Sequence, residues 1–254
     1  MEYERASKYP DLEQVYSQCS GPGGLKVAEF IAEKLNLRPG QLLLDIGTNY
    51  GYQTCFLAKE YRVFAVSIDP GDDPLKGPGT PNVAHLMENA RAWGVQDRVV
   101  GVRVAVPDTK FADESFDAAY CTTTLEMIRG LEGEERYREC LSEILRILRA
   151  GALFGLGEPM HLDVDLPEDL APLVSEGKGS FADCLVTVQD TVDAFRTVGF
   201  EVVEADYAPD ARAWWDEYRL HDPGCRKDPD GDPRMLEVDG GRWLSFGYVI
   251  AKKP

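Results

Sequence analysis

Basic residues are scarce in this chain. Against 44 Asp and Glu there are 27 Lys and Arg and 3 His in 254 residues, a formal net charge of −17 at pH 7. So acidic a surface is a poor match for nucleic-acid phosphates or anionic membranes, both of which call for basic patches. Long apolar runs are missing as well. Nothing approaches the roughly 20 residues of a membrane span, and no basic start followed by an apolar stretch marks a secretory leader. The cytoplasm is the expected location, with a small molecule as partner, neither nucleic acid nor membrane, and a homodimer as an assembly the chain admits. Paired cysteines are absent. Cys19, Cys55, Cys121, Cys140, Cys184 and Cys225 contain no C-x-x-C spacing, so neither a zinc knuckle nor a thioredoxin-type site is expected, and no metal centre. Without a secretory signal they read as reduced, mostly buried thiols.

What is present is organised around residues 42–54. The apolar run Leu42-Leu43-Leu44 ends at Asp45, then Ile46-Gly47-Thr48-Asn49-Tyr50-Gly51 forms a glycine turn and a helical pattern begins at Tyr52. A buried parallel strand delivering the chain to a turn at its carboxyl end has this form, and that end is where open α/β sheets bind ligands. Gly47 and Gly51 let backbone approach a ligand without a Cβ in the way, and the helix start offers free N–H groups. Asp45 can organise the turn or meet a ligand's ammonium. The same residues also suit a strand-to-helix turn with no ligand. Asp69 separates the readings: it ends a second strand over residues 61–69, 24 positions after Asp45, where a carboxylate can accept both hydroxyls of a ribose.

The rest of the pattern alternates. A helix over about 25–35 precedes the first strand, 41–46. Helices follow over 52–60, 82–93, 134–148 and 188–198, and strands over 98–106, 115–121, 152–158, 200–207 and 243–251. Residues 70–81, rich in Gly, Pro and Asp, read as a mobile loop. The alternation predicts an α/β fold, a Rossmann-like doubly wound sheet of seven strands. The last two strands lack a regular crossover helix, so strand seven is expected antiparallel in a terminal hairpin. We read residues 1–254 as a single domain: an N-terminal helical cap over 1–40 with Tyr3, Tyr9 and Tyr16 folded over the ligand, a binding core over 41–158, and lid inserts at 159–186 and 208–241.

At this point the residues resemble a family. Asp45, Gly47 and Gly51 match the D-x-G-x-G-x-G turn of the class I S-adenosylmethionine-dependent methyltransferases, with Asn49 in place of the middle glycine. Asp69 matches their ribose-binding acid. Phe111-Ala112-Asp113-Glu114-Ser115-Phe116-Asp117 matches the stretch leading into their fourth strand, and Leu145-Arg146-Ile147-Leu148-Arg149-Ala150-Gly151 resembles the segment after it, without its proline and one glycine. The resemblance covers roughly residues 15–207. It implies S-adenosylmethionine as cofactor, held by Asp45, Gly47, Asn49, Gly51, Asp69, Val106 and Cys121. The family often places an acid after the third strand against the adenine amine. Ala105 stands there in this chain, which leaves the backbone of Val106, or Asp108, to serve. A nicotinamide enzyme is the competing reading, but Asn49 and Tyr52 do not fit its G-x-G-x-x-G turn.

The resemblance implies methyl transfer to a small organic molecule. Such a displacement at carbon needs alignment and exclusion of water, and a proton acceptor where the nucleophile is an amine or hydroxyl. Candidate catalytic residues are Glu126, Glu158 and His161, with Asp163 nearby. Tyr16, Trp214 and Trp215 are candidate substrate residues, since an aromatic wall can hold a cation or a flat apolar molecule. The segment Gly21-Pro22-Gly23-Gly24 looks like the entry motif of small-amine methyltransferases, but Thr122-Thr123-Thr124-Leu125-Glu126-Met127 carries no histidine of their kind. Arsenite methyltransferases offer a different parallel: Cys121 and Cys184 fall at about the positions of two of their cysteines, and thiolates suit a soft metalloid. A third alternative is a cofactor-binding scaffold that has lost its chemistry.

Overall fold

The computed structural model describes residues 2–72, 79–175 and 180–254. Its seven-stranded sheet has the order β3-β2-β1-β4-β5-β7-β6. The strands are β1 (Leu42–Ile46), β2 (Phe64–Ile68), β3 (Val99–Val102), β4 (Phe116–Thr122), β5 (Leu148–His161), β6 (Glu201–Tyr207) and β7 (Leu244–Lys252). The first five are parallel, and β7 lies antiparallel between β5 and β6. This is the doubly wound sheet with a terminal hairpin that the alternation implied.

A short 3₁₀ turn (Ala6–Lys8) leads into α1 (Leu12–Tyr16) and α2 (Gly24–Lys34). The crossover helices are α3 (Tyr52–Glu60), α4 (Asn82–Trp93), α5 (Leu125–Glu132) and α6 (Glu134–Ile147). After β5 come α7 (Ala171–Val174), α8 (Phe181–Cys184) and α9 (Val188–Val198), and between β6 and β7 lie α10 (Ala211–His221), α11 (Pro223–Lys227) and α12 (Asp232–Asp239).

Strand side chains alternate between the two faces. Leu43, Ala118, Tyr120 and Tyr248 join one apolar layer with Phe30 and Ile31 of α2, Phe56 of α3 and Trp214 of α10. Leu44, Ala119, Cys121, Phe154 and Val249 join the opposite layer with Tyr137, Leu141 and Ile144 of α6 and Phe195 of α9. α9 is opened by a capping box, the Thr187 hydroxyl accepting from Asp190 N and the Asp190 carboxylate from Thr187 N, as its sequence indicated.

The inserts differ from expectation. The first insert begins later than 159, because β5 extends past the expected 158 to His161, paired through His161–Leu244. The second carries α10, α11 and α12. Leu170, Val174, Cys184 and Leu185 of the first insert pack with Trp215, Met235, Leu236 and Trp243 in a common apolar cluster, so the two inserts stabilise each other. β3 is shorter than the predicted 98–106. The loop expected over 70–81 falls largely on residues 73–78, outside the described residues. The N-terminal tyrosines do not cover the mouth of the sheet: Tyr3 donates to Asp210 at 2.6 Å and Tyr9 stacks on Trp93. Among the described residues no helix is long and apolar enough to cross a membrane.

Candidate functional site

The carboxyl ends of β1, β2 and β4 open onto a cavity of about 330 Å³, within the range of small-molecule sites. Its shape begins with the turn after β1. Gly47 has φ +75°, Asn49 +49° and Gly51 +72°, a left-handed path that glycine takes without steric cost. Gly47 N and Thr48 N donate to Ile68 O at 2.9 and 3.1 Å, and Gly51 N to Thr48 O at 2.8 Å, which ties the turn to β2. A Cβ on Gly47 would lie 2.1 Å from Thr124 Oγ1, so only glycine lets the start of α5 close over the turn. Gly51 faces away from the cavity: a Cβ there would meet Leu86 of α4 at 1.9 Å.

Asp69, just past β2, lies in the wall of this cavity with its carboxylate fixed from three sides. Oδ2 accepts from Asn49 N at 2.9 Å; Oδ1 accepts from Gly71 N at 2.8 Å and Asn82 Nδ2 at 3.1 Å. A carboxylate has about four acceptor positions, so capacity remains on the Oδ2 side. Gly47, Asn49, Val104, Ala105, Val106, Met127 and Ile128 complete most of the wall. A second, tight cleft lies between Gln18, Cys19 and Ser20 on one side and Thr48, Asn49, Tyr52 and Gln53 on the other. Gln53 Oε1 accepts from Tyr120 and Thr122 at 3.0 and 2.9 Å, while its Nε2 donates to Gly24 O at 2.8 Å. The side chain thereby links sheet, cap and cleft.

Asp45 is buried beneath the turn, not in the cavity wall. Thr54 and Ser67 donate to its carboxylate, but burial dominates and pushes its pKa up to about 6 from 3.8. Because the folded value is the higher one, the native state holds an extra proton between those values, and stability falls as pH rises through that window. Raising the pH from 5 to 7.5 is therefore expected to cost about 1 kcal/mol through Asp45 alone. Denaturant titrations should show that loss in the parent chain and not in Asp45→Asn; parallel pH profiles would contradict it.

A third cavity, of about 250 Å³, adjoins the first, Met127 lining both; its other walls are Glu126, Pro159, Phe181, Cys184 and Leu185. Behind it lies a buried ionic group. Glu158 Oε2 accepts from Glu126 N at 3.1 Å, and Arg129 Nη1 reaches Glu158 Oε1 at 3.5 Å. Arg129 also donates to Glu134 at 2.9 Å and sits 3.5 Å from the Tyr137 ring centroid. Burial and the neighbouring Glu158 hold the Glu126 carboxyl well above the usual range; burial raises Glu158 too, with Arg129 opposing.

The candidate residues thus separate. Gly47, Asn49, Asp69 and Val106 line the first cavity and Glu126 the third. Gly51 and Cys121 support from behind. His161 stacks on Trp243 with rings 4.9 Å apart, its Nδ1 2.7 Å from Leu162 O, and lines none of these three cavities. Tyr16 is buried against Tyr218 and His221. Trp214 is core between Phe30 and Phe246, and the Trp215 indole donates to Ser245 O at 3.1 Å within the insert cluster. These three rings are packing residues and do not form the expected aromatic wall. The thiol pair is corrected as well. Burial raises the Cys121 thiol well above its usual range and that of Cys184 to about 11. Cys184 packs on α5 where Gly130 leaves room, a Cβ there falling 2.2 Å from its sulfur. Neither is poised as a thiolate. Ser20 and Arg129 went unremarked in the sequence, and Thr123, Thr124 and Met127 were read only as a segment without histidine; a short helix after β4 was the signal that would have found the last four.

Residues 44–156 match the family described as "Methyltransferase domain". The chain is 27% identical over 206 residues to the methyltransferase phqN of Penicillium fellutanum, covering 78% of this chain and 58% of that protein. Among solved structures it is similar to the [4+2]-cyclase SpnF, with TM-score 0.73, 19% identity and coverage of 99% and 94%. It is also similar to phosphoethanolamine N-methyltransferase 2 of Haemonchus contortus, solved with S-adenosyl-L-methionine, with TM-score 0.76, 17% identity and coverage of 95% and 56%. The chain spans 45% to 66% of the length of the first curated relatives it matches.

Proposed function

We propose that this chain, whose residues 44–156 match a methyltransferase domain, is a class I S-adenosylmethionine-dependent methyltransferase that binds its cofactor in the cavity over β1 and β2 and methylates a small organic molecule. The observation that carries the reading is Asp69: a buried carboxylate at the end of β2, locked by three donors beside the glycine turn, with one acceptor position left on Oδ2 for a ribose hydroxyl. The cavity's chemistry fits this cofactor. Among the described residues lining it there is no lysine or arginine, which suits a sulfonium cation. Val104, Ala105 and Val106 offer an apolar wall for a flat base, and the polar cleft at Gln18–Ser20 suits an amino-acid tail. When bound, the cofactor supplies an electrophilic methyl group. The protein holds the acceptor in line and excludes water, through the cap and the two inserts.

Residues 41–158 then form the cofactor core, 1–40 its cap, and 159–186 with 208–241 the acceptor's enclosure. The net charge of −17 supports a cytoplasmic enzyme with no nucleic-acid partner. Fold alone does not fix the reaction, as the cyclase of the same fold illustrates. The test has two steps. Calorimetry is expected to show saturable binding of S-adenosylmethionine and none of NADH. Labelled cofactor is then offered with a panel of amines, alcohols and thiols, and transfer to at least one is expected. Absence of cofactor binding overturns the reading. Tight binding without turnover across the panel would instead favour a scaffold.

A further inference from the structure

The third cavity, the one at Glu126, bears on what the acceptor is. Its wall is apolar, from Met127, Pro159, Phe181, Cys184 and Leu185, with Glu126 the one carboxyl among its described lining residues. Glu126 is 4% exposed, and its Oε2 accepts no hydrogen bond from the protein. The Glu158 carboxyl can share a proton with Glu126 only while Glu126 is protonated; once ionised, Glu126 leaves that buried atom unpaired at a cost of about 1–3 kcal/mol, which a donor on a ligand in the adjoining apolar cavity would offset. The charges nearby indicate the sign of that ligand. Arg129 bonds Glu158 and Glu134 but not Glu126, so an ionised Glu126 has no bonded cation of its own. No lysine or arginine among the described residues lines this cavity, the cofactor cavity or the cleft beside it. Among the described residues the cation of this group, Arg129, does not line the cavity and is already engaged by Glu158 and Glu134, so at the cavity wall an ammonium meets a carboxyl where a phosphate or carboxylate would meet none of opposite charge.

We propose that this cavity receives the nitrogen of an apolar amine and that Glu126 is its counter-carboxylate and proton acceptor. The inference rests on the methyl-donor reading for the adjoining cavity. For transfer, one N–H bond of the ammonium breaks and an O–H bond forms on Glu126, leaving the electron pair on nitrogen. That pair forms the C–N bond as the methyl's C–S bond breaks, its electrons returning to sulfur. The methylated ammonium departs, and Glu126 releases its proton to water. The groups facing Glu126 are Glu158 of β5, Arg129 of its own helix, Cys121 of β4 and Cys184 of α8, with Tyr137 of α6 against Arg129. The burial and repulsion that keep Glu126 protonated at rest also mean that an arriving ammonium must displace that proton.

The probes are hexylamine, hexan-1-ol and hexanoate, titrated calorimetrically at pH 7.5 in the presence of S-adenosylhomocysteine, in two buffers of different ionisation enthalpy. The amine is expected to bind at least tenfold more tightly than the other two and to release about one proton per molecule bound. Glu126→Gln should abolish both the preference and the proton release. As a second variant, Phe181→Lys places a cation at the edge of the same cavity and should shift the preference from amine to hexanoate. Equal or tighter binding of the alcohol or the carboxylate to the parent chain, or no saturable amine binding, overturns the inference. So does an amine preference that survives in both variants. S-adenosylhomocysteine binding without the amine preference sinks the amine assignment alone, whereas failure of S-adenosylhomocysteine to bind sinks the methyl-donor reading beneath it.

Discussion

Asp69→Ala is expected to weaken S-adenosylmethionine binding about 100-fold. Hydrogen bonds to a charged acceptor contribute roughly 1.5–3 kcal/mol each, and the one lost from a ribose hydroxyl, at the upper end of that range, reaches the approximately 3 kcal/mol that corresponds to that factor. The loss has a second source. The same carboxylate holds Asn49 N, Gly71 N and Asn82 Nδ2, so its removal releases three donors and loosens the turn that Gly47 allows. Asp69→Asn separates the two contributions. It keeps an oxygen for Asn49 N but presents an amide N–H₂ toward Gly71 N and Asn82, replacing acceptance by donor–donor conflict. Its affinity should fall between those of the parent and Asp69→Ala. Calorimetry checks this directly, and unchanged dissociation constants in both variants would remove Asp69 from the site. Circular dichroism of each variant distinguishes lost contacts from lost folding.

The proposed cofactor side of the molecule was legible in sequence because it depends on local chemistry. Gly47 and Gly51 mark left-handed backbone, Asp69 ends an apolar run, and Leu43 and Leu44 alternate between two packed faces. These features follow from a few adjacent residues, and the structure places the glycine turn and Asp69 at the carboxyl end of the sheet. The terminal hairpin followed from the missing crossover helix between β6 and β7. The acceptor side was less legible, since it depends on contacts between distant segments. Trp214, Trp215 and Tyr16 offered aromatic surface, but what an aromatic ring faces depends on the helix it sits on; α10 turns Trp214 inward against Phe30 and Phe246. α5 was missed because it is eight residues long and contains Gly130, which a propensity argument reads as a break. Gly130 instead admits Cys184. Glu126 and Glu158 were legible as acids near strand ends. Their mutual burial with Arg129 was not, because it joins β4's helix to β5's end.

That buried group carries the largest expected change in stability. Arg129→Met removes the guanidinium that opposes burial at Glu158, a side chain with no exposure. Removing one partner of a buried ion pair costs about 3–5 kcal/mol because the other charge is left uncompensated. The sign with pH follows from Glu158. Its folded pKa is already raised from 4.5 by burial, with Arg129 the main opposing charge, so losing Arg129 raises it further while the unfolded value stays. The variant's native state therefore holds a proton on Glu158 over a wider range, and its deficit against the parent grows as pH rises through the parent's own folded value, which lies above 4.5. Below that folded value the carboxyl is neutral in both native states and the deficit narrows to the lost contacts of Arg129 with Glu134 and the Tyr137 ring. Adding Glu158→Gln to Arg129→Met should recover most of the loss at pH 8, because an amide needs no counter-charge and can still accept from Glu126 N. A double-mutant cycle by urea denaturation measures the coupling. Additive losses, or a deficit that is the same at pH 5 and pH 8, would show that Arg129 acts through packing on Tyr137 and not through charge.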